Sequence, residues 1–295
     1  RRMNALEQQV RDFCARCLDP FVDADRFDFV TDLGAEMPMR VIGMLLGIPE
    51  SEQTAIRDRS DASLRTETGK PMAVRKEAIA NGEAFAEYID WRVDHPSDDL
   101  MTALLTAEFE DETGTTRRLT RDEVLTYTQV LAGAGNETTG RLIGWLGKVL
   151  GDHPDQRRAI AADPSLIPNT IEETLRFEST GPHVARYVAR DTEYYDTTVP
   201  EGSAILLIVG SANRDERHYD EPDRFDVHRD NSQHLTFGFG LHFCLGAALA
   251  RLEGRVALDE VLKRFPDWEV DHENTRLAPT STVRGWDSMP VAITC

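Results

Sequence analysis

Cysteine is scarce in this chain, with four among 295 residues, at positions 14, 17, 244 and 295. So few cannot lace a small disulfide framework, and the set fits a reducing compartment, so a cytoplasmic protein is expected. Cys14 and Cys17 have the spacing of half a metal site, but no second pair completes it. Within a helical pattern they read more simply as two small buried apolar residues. Positive charge is also in deficit: 33 Lys and Arg stand against 52 Asp and Glu, a formal net charge of −19. Such a polyanion repels nucleic acid and anionic lipid, so neither is an expected partner. No apolar run reaches the roughly 18 residues that mark a membrane-spanning helix. Arg1-Arg2-Met3 opens directly into an amphipathic pattern, without a leader-like apolar stretch. Internal repeats and low-complexity segments are missing too, and the length suits one or two domains with a large core.

What is present is mostly helical periodicity. Met3 to Cys17, Pro38 to Leu46, Ser51 to Leu64 (with Ser51 as N-cap), Ala73 to Val93 and Asp98 to Glu108 each read as helices. Phe109 to Leu119 reads as a largely polar connector. A long pattern from Thr120 to Asp152 follows, with Thr120 and Glu123 forming a capping box. Its middle is Ala132-Gly133-Ala134-Gly135-Asn136-Glu137-Thr138-Thr139-Gly140. Each glycine costs roughly 1 kcal/mol relative to alanine inside a helix, so a close approach by a flat ligand is expected to offset it. Thr138 can bond back to the carbonyl of Ala134 and bend the helix. Beyond Pro154 come a short helix and another from Pro168 to Phe177. Strands follow at Val184 to Val188, Glu193 to Val199 and Ala204 to Val209, with the turn Pro200-Glu201-Gly202 between the last two. Asp220 to Gln233 is polar and aperiodic, Leu245 to Lys263 is helical, and the tail after Pro266 is strand and turn.

The most informative run is Phe237-Gly238-Phe239-Gly240-Leu241-His242-Phe243-Cys244-Leu245-Gly246. Its glycines permit positive φ and close backbone approach around one sulfur, and Phe237 and Phe243 add apolar bulk. The helical pattern behind it puts Cys244 at a helix N-terminus, where the dipole favours a thiolate. A thiolate in such a loop suits the axial position of haem iron.

This run matches every fixed position of F-G-x-G-x-H-x-C-x-G, and the chain resembles the cytochrome P-450 family, its soluble bacterial, ferredoxin-served members above all. Ala134-Gly135-Asn136-Glu137-Thr138 resembles the family's A-G-x-[DE]-T, and Glu173-Thr174-Leu175-Arg176 its E-x-x-R. Ala212-Asn213-Arg214-Asp215 and Ala250-Arg251-Leu252-Glu253 fit bacterial members as well. The resemblance implies a single domain over residues 1–295, mainly α with small β-sheets. It implies haem b held through Cys244, with Phe237, Gly238, Leu245, Gly246, Ala134 and Ala250 around it and His242 and Arg186 on the propionates. Glu137 and Thr138 become the catalytic pair, the alcohol donating to the distal atom of O2 and the acid relaying protons from solvent. Val130, Gly133, Ala134, His183, Val184 and Thr282 become pocket residues. Glu173 and Arg176, on their own a commonplace surface pair, become a buried structural cluster with Arg224 as the third member.

The implied activity is insertion of one oxygen atom from O2 into an apolar organic substrate by a monomeric enzyme. Electrons come from NAD(P)H through ferredoxin reductase and ferredoxin, for which Arg251 and Arg255 offer a basic patch. Lipid, sterol, terpenoid and polyketide substrates all stay open. A peroxide-driven peroxygenase and a haem binder or sensor without turnover are the competing functions. The resemblance leaves the family's N-terminal portion, roughly its first quarter, without a counterpart. That portion would supply two strands, the loop over the substrate pocket and a propionate-binding helix. A protein of these 295 residues alone is therefore expected to fold poorly or to lose haem.

Overall fold

In the computed structural model the described residues are 3–67, 85–230 and 233–294. The helices are α1 (Glu7–Leu18), α2 (Met37–Leu46), α3 (Glu50–Leu64), α4 (Ala86–Asp94), α5 (Leu100–Thr106), α6 (Arg121–Asp152), α7 (Pro154–Ala162), α8 (Ile167–Phe177), the short α9 (Val209–Ala212) and α10 (Ala247–Arg264). Strands β1 (Arg26–Asp28), β2 (Glu108–Glu110), β3 (Thr116–Arg118), β4 (Val184–Tyr187), β5 (Thr192–Tyr194), β6 (Thr197–Val199), β7 (Ala204–Leu207), β8 (Trp268–Val270), β9 (Arg276–Leu277), β10 (Trp286–Ser288) and β11 (Pro290–Ile293) are all short.

Helix α6 is the axis of the molecule. Thr120 caps it and Glu123 returns the bond, so the capping box forms as expected. Its C-terminal half is apolar and buried, with Leu142, Ile143, Leu146, Val149 and Leu150 in the main core. It packs there against α10, α8 and a π-helical turn at Phe29–Gly34. At Gly254 an added Cβ would lie 3.2 Å from Leu142 and 3.4 Å from Ile171. The small residue thus lets α10 lie close to both α6 and α8, which fixes the head of α10 relative to the middle of α6. A second apolar cluster joins α2, α4 and α5 to the N-terminal part of α6.

Antiparallel pairing organises the strands. β11 sits between β1 and β8, β9 pairs with β10, and β4 pairs with β7 in the register Val184 to Leu207 and Arg186 to Ile205.

Several boundaries differ from the sequence reading. Ser51 lies inside α3, whose N-cap is Pro49, because the helix begins at Glu50. The polar connector after α5 is a hairpin, β2–β3, held by Asp111 accepting from the amides of Thr113 and Thr115. An Asx turn of this kind is hard to see in a polar run. The segment read as one strand, Glu193 to Val199, is the hairpin β5–β6 with Tyr195 at φ 53° at its tip. Of the helix expected from Ala73 to Val93, the part before Phe85 lies outside the described residues, and α4 supplies the rest.

Candidate active site

The cysteine loop closes on its own backbone. Gly238 and Gly240 have φ of 74° and 65°, and a Cβ on Gly238 would sit 3.1 Å from the His242 carbonyl oxygen, so a side chain is strained there. The Cys244 amide donates to the Phe237 carbonyl at 2.7 Å, and Phe243 N–H donates to Gly240 at 3.0 Å. Helix α10 begins three residues on, at Ala247, so the sulfur sits ahead of its first turn as expected. Cys244 is exposed, whereas Cys14 and Cys17 are buried. The apolar shell is one-sided: Phe237 is buried, but Phe243 is 52% exposed, Leu245 83% and Leu241 fully so. His242 and Gly246 are exposed, and Ala250 is half-buried on α10.

On α6 the Thr138 hydroxyl donates to the Ala134 carbonyl at 2.8 Å, while the helix runs unbroken from Arg121 to Asp152. The glycines here divide. A Cβ on Gly133 would meet nothing within 4 Å, and Val130 beside it is exposed. Gly135 faces Ile42, and a Cβ on Gly140 would lie 2.6 Å from the carbonyl oxygen of Gly34. Only Gly133 therefore leaves room for a ligand. The other two are small because α2 and the π-helical turn press against them, a reason that sequence alone does not reveal.

Glu137 points into a different space from Thr138. Its carboxylate accepts from Arg141 at 3.1 Å, one turn further along α6, and both side chains are buried. They line a cavity of about 220 Å³ with Asn136, Asp61, Arg65 and Asp287. Burial pushes the Glu137 carboxyl upward; Arg141 opposes this and Asp61 adds to it. Arg141 also pairs with Asp61 and Asp287 at 3.2 Å each. The sequence reading missed Arg141, although its i+4 spacing from Glu137 was a signal.

Arg186 and Val184 are exposed on β4, and His183 precedes them, half-buried. Arg186 donates to the carbonyl of Ala185 at 2.9 Å and has no acidic partner among the described residues. Thr282 lies exposed in the tail turn. The Arg284 amide, donating to Thr180 at 2.7 Å, brings that turn beside the segment leading into β4.

The Glu173–Arg176 pair is fully buried, with contacts of 2.7 and 2.9 Å. Arg176 also donates to the carbonyls of Asn213, Pro222 and Arg224. The third charged member is Arg229, 3.3 Å from Glu173, and not Arg224. Arg224 turns its carbonyl inward and its side chain outward, where it pairs with Glu221 and Asp226. Periodicity cannot choose between two arginines in an aperiodic meander, and the backbone path does. Asn213 is fully buried and donates to Ser179 and Thr236, tying the meander to the start of the cysteine loop.

Arg251, read as part of a docking patch, is half-buried and paired with an acid. Glu172 grips it at 2.7 Å through both carboxylate oxygens. Arg255 donates to the Arg251 carbonyl at 3.2 Å.

The family model described as Cytochrome P450 matches residues 63–286. Putative cytochrome P450 123 of Mycobacterium tuberculosis is 38% identical over 297 residues, covering 99% of this chain and 73% of the relative. A steroid C26-monooxygenase of the same species is 36% identical over 304 residues, covering 100% of this chain and 74% of the relative. The crystal structure of P450BioI in complex with an acyl carrier protein superposes with a TM-score of 0.89 at 29% identity, covering 99% of this chain and 75% of that one. This chain therefore belongs to the cytochrome P450 family, enzymes that carry haem on a cysteine thiolate.

The residues present fit that group. The donor set is one exposed sulfur at the head of a helix. Val130, Val184, Phe243 and Leu245 leave apolar surface uncovered, as a macrocycle requires, and Arg186 has a guanidinium without an acidic partner among the described residues. Among the described residues no helix is long and apolar enough to cross a membrane.

Proposed function

We propose that this chain acts as a haem-thiolate monooxygenase on an apolar organic substrate, with Cys244 as the thiolate that would hold the haem iron. One observation carries the reading: the exposed sulfur of Cys244, whose backbone amide is tied to Phe237, in the loop leading into α10. When bound, haem b activates O2, placing one oxygen atom in the substrate while the other leaves as water with two protons and two electrons. The electrons come from NAD(P)H through ferredoxin reductase and ferredoxin.

Cys244 holds the iron, with Phe237, Gly238, Leu245, Gly246, Ala134 and Ala250 around the group. Arg186 and His242 take its carboxylates, Arg through its planar two-donor fork. Val130, Gly133, Ala134, His183, Val184 and Thr282 border the substrate and exclude water. Thr138 presents its hydroxyl oxygen at the face of α6 while donating a hydrogen bond to the Ala134 carbonyl. Burial raises the Glu137 carboxyl above its ordinary range while Arg141 opposes this, and the cavity it lines gives that carboxyl a path to the surface, as a proton relay needs. The relative named steroid C26-monooxygenase supports a sterol-like substrate among the apolar classes.

The test is reduced-carbon-monoxide difference spectroscopy of the haem-loaded chain, then NADPH consumption with a surrogate ferredoxin pair across a lipid and natural-product panel. A thiolate-type spectrum and substrate-dependent consumption are expected, both lost in Cys244→Ser. Thr138→Ala should lower product per NADPH by about tenfold while O2 uptake continues. Unchanged coupling would remove Thr138 from proton delivery. Turnover with peroxide alone would identify a peroxygenase, and a thiolate spectrum without turnover a sensor.

A further inference from the structure

The cavity behind Glu137 holds more charge than one relay acid needs. Three carboxylates line it, Glu137 on α6, Asp61 near the end of α3 and Asp287 on β10, together with the guanidiniums of Arg141 and Arg65. Arg141 reaches all three acids, at 3.1 Å for Glu137 and 3.2 Å for each of the others. Arg65 pairs with Asp61 and Asp287 at 2.8 Å each. Three negative charges against two positive leave one in surplus, and a single proton shared among the carboxyls cancels it. The Glu137 side chain is 8% exposed, against 25% for Asp61 and 24% for Asp287, so desolvation favours the proton most at Glu137.

The contacts have an order. Glu137 Oε2 and Asp61 Oδ1 share one nitrogen, Arg141 Nη2, while Asp287 takes Nη1, which also donates to the Trp286 carbonyl. Two oxygens on one nitrogen stand no further apart than the two contacts laid end to end, a span that one or two waters bridge. The cavity, at about 220 Å³, has room for several. Its wall carries polar atoms that no described residue satisfies. Asn136 is 2% exposed with Oδ1 unpartnered, while its Nδ2 lies 3.5 Å from Glu137, and Arg141 Nε is buried and unpartnered too. Buried polar groups of this kind call for water in the space they line. At the mouth, Arg57 is taken by Glu36 and, at 3.0 Å, by Asp58, so these three satisfy one another. Asp61 alone is both part-exposed and on the nitrogen that holds Glu137.

We propose that Asp61 is the proton-entry residue for Glu137, with Arg141 as the positioning residue that holds the two carboxylates a water or two apart, and Asp287 as the contact that keeps Arg141 turned toward them. This rests on the reading of Glu137 as the relay acid and concerns its supply from solvent. In each transfer a hydronium at the mouth gives its proton to Asp61 Oδ1 and stays behind as water. Asp61 passes a proton through the bridging water to Glu137 Oε2 and returns to carboxylate. One proton has then left solvent and one has reached Glu137; no electrons move, and both guanidiniums keep their protons.

The surrounding charges agree. Burial raises the Glu137 carboxyl, Arg141 lowers it, Asp61 raises it as a like charge, and Arg65 opposes that. Removing the charge of Asp61 therefore makes Glu137 more acidic, and removing that of Arg141 makes it less so.

The haem-loaded chain carries the test, in two readouts. The first is the Glu137 carboxyl stretch in pH-step infrared difference spectra, assigned by its loss in Glu137→Gln. Its midpoint should move down in Asp61→Asn and up in Arg141→Gln, and Arg141→Lys, which keeps the charge, should stay near the parent. A merely structural role does not produce opposite signs. The second is product per NADPH with the surrogate ferredoxin pair, followed against pH in H2O and in D2O. Asp61→Asn should lower it by about threefold and enlarge the solvent isotope effect. Asp61→Glu should restore both, and Asp58→Asn, whose charge is held by Arg57, should change neither.

Midpoints that do not move, or that move the same way in Asp61→Asn and Arg141→Gln, overturn the proposal. So does an Asp61→Asn chain with the parent coupling and isotope effect; if Glu137→Gln is impaired at the same time, only the entry route falls. Parent coupling in Glu137→Gln itself removes the relay reading and the entry route together. If Arg141→Gln fails to fold, Asp61→Asn must still lower both the midpoint and the coupling, or the proposal fails.

Discussion

Two charged or reactive regions flank α8, and they are built on opposite principles. Glu173 and Arg176 are buried and satisfied: two side chains with no exposure, a bidentate pair, three carbonyls for Arg176, and the amide of Asp226 donating to Glu173. Around Cys244 the backbone is tied, but Phe239, Leu241 and Leu245 stand in solvent and the sulfur is open. A folding device satisfies itself internally, because an unpartnered buried charge is costly. A site leaves groups for a ligand to cover. The contrast separates the two more sharply than residue type does, since each is assembled from motif residues that look equally prominent in the sequence.

Breaking the satisfied cluster should have the largest effect on stability. Arg176→Ala takes the bidentate partner from buried Glu173, leaving it only Arg229 at 3.3 Å and the Asp226 amide, and should cost about 3–5 kcal/mol in chemical unfolding. Arg229→Ala should be clearly destabilising for the same reason, while Arg224→Ala, which removes only exposed pairs, should cost less than about 1 kcal/mol. Equal losses for Arg224 and Arg229 would restore Arg224 to the cluster.

Glu253 sharpens the comparison, because it is buried without the partners that Glu173 has. It lies on α10 at 1% exposure, and its Oε2 has no hydrogen-bond partner among the described residues. Burial alone holds its carboxyl well above the ordinary 4.5. The folded state then binds the proton more tightly than the unfolded chain does. Its contribution is fully present below the unfolded value and is lost as pH rises toward the folded one. Thermal unfolding followed from about pH 4 to pH 8 should show stability falling as pH rises above the ordinary carboxyl value of 4.5, and Glu253→Gln should flatten that fall. A slope unchanged by the substitution would mean that Glu253 is not the group responsible.

The smallest effect belongs to the tip of β5–β6, remote from either cluster in character. Tyr195 has φ 53° and is fully exposed, so its ring packs on nothing to offset the left-handed backbone. Tyr195→Gly should raise the unfolding free energy by about 1 kcal/mol in urea denaturation. A loss instead would show that the tyrosine makes a compensating contact in solution.

Much of this was legible in the residues. The cysteine loop, the capping box at Thr120 and Glu123, the Thr138-to-Ala134 bond and the exposed strand at Val184 and Arg186 follow from local chemistry, and they form as read. The hairpin β2–β3 did not, because its Asx turn lies in a run that looks like any polar linker. The split at Tyr195 was hidden because a tyrosine is an uncommon choice for a left-handed turn position. Arg229, Glu172 and His234 were given no role because their partners are supplied by other segments, whereas Arg141 was passed over despite its i+4 spacing from Glu137.

The sequence by itself determined the thiol-bearing loop, the long central helix and its acid–alcohol pair, since these depend on residues within a few positions of one another. Tertiary structure alone decided which arginine completes the Glu173 cluster, that Glu137 lines a separate cavity with Asp61 and Asp287, and that Arg251 is held by Glu172. Those choices depend on where remote backbone carries a side chain, and spacing along the chain holds no record of that.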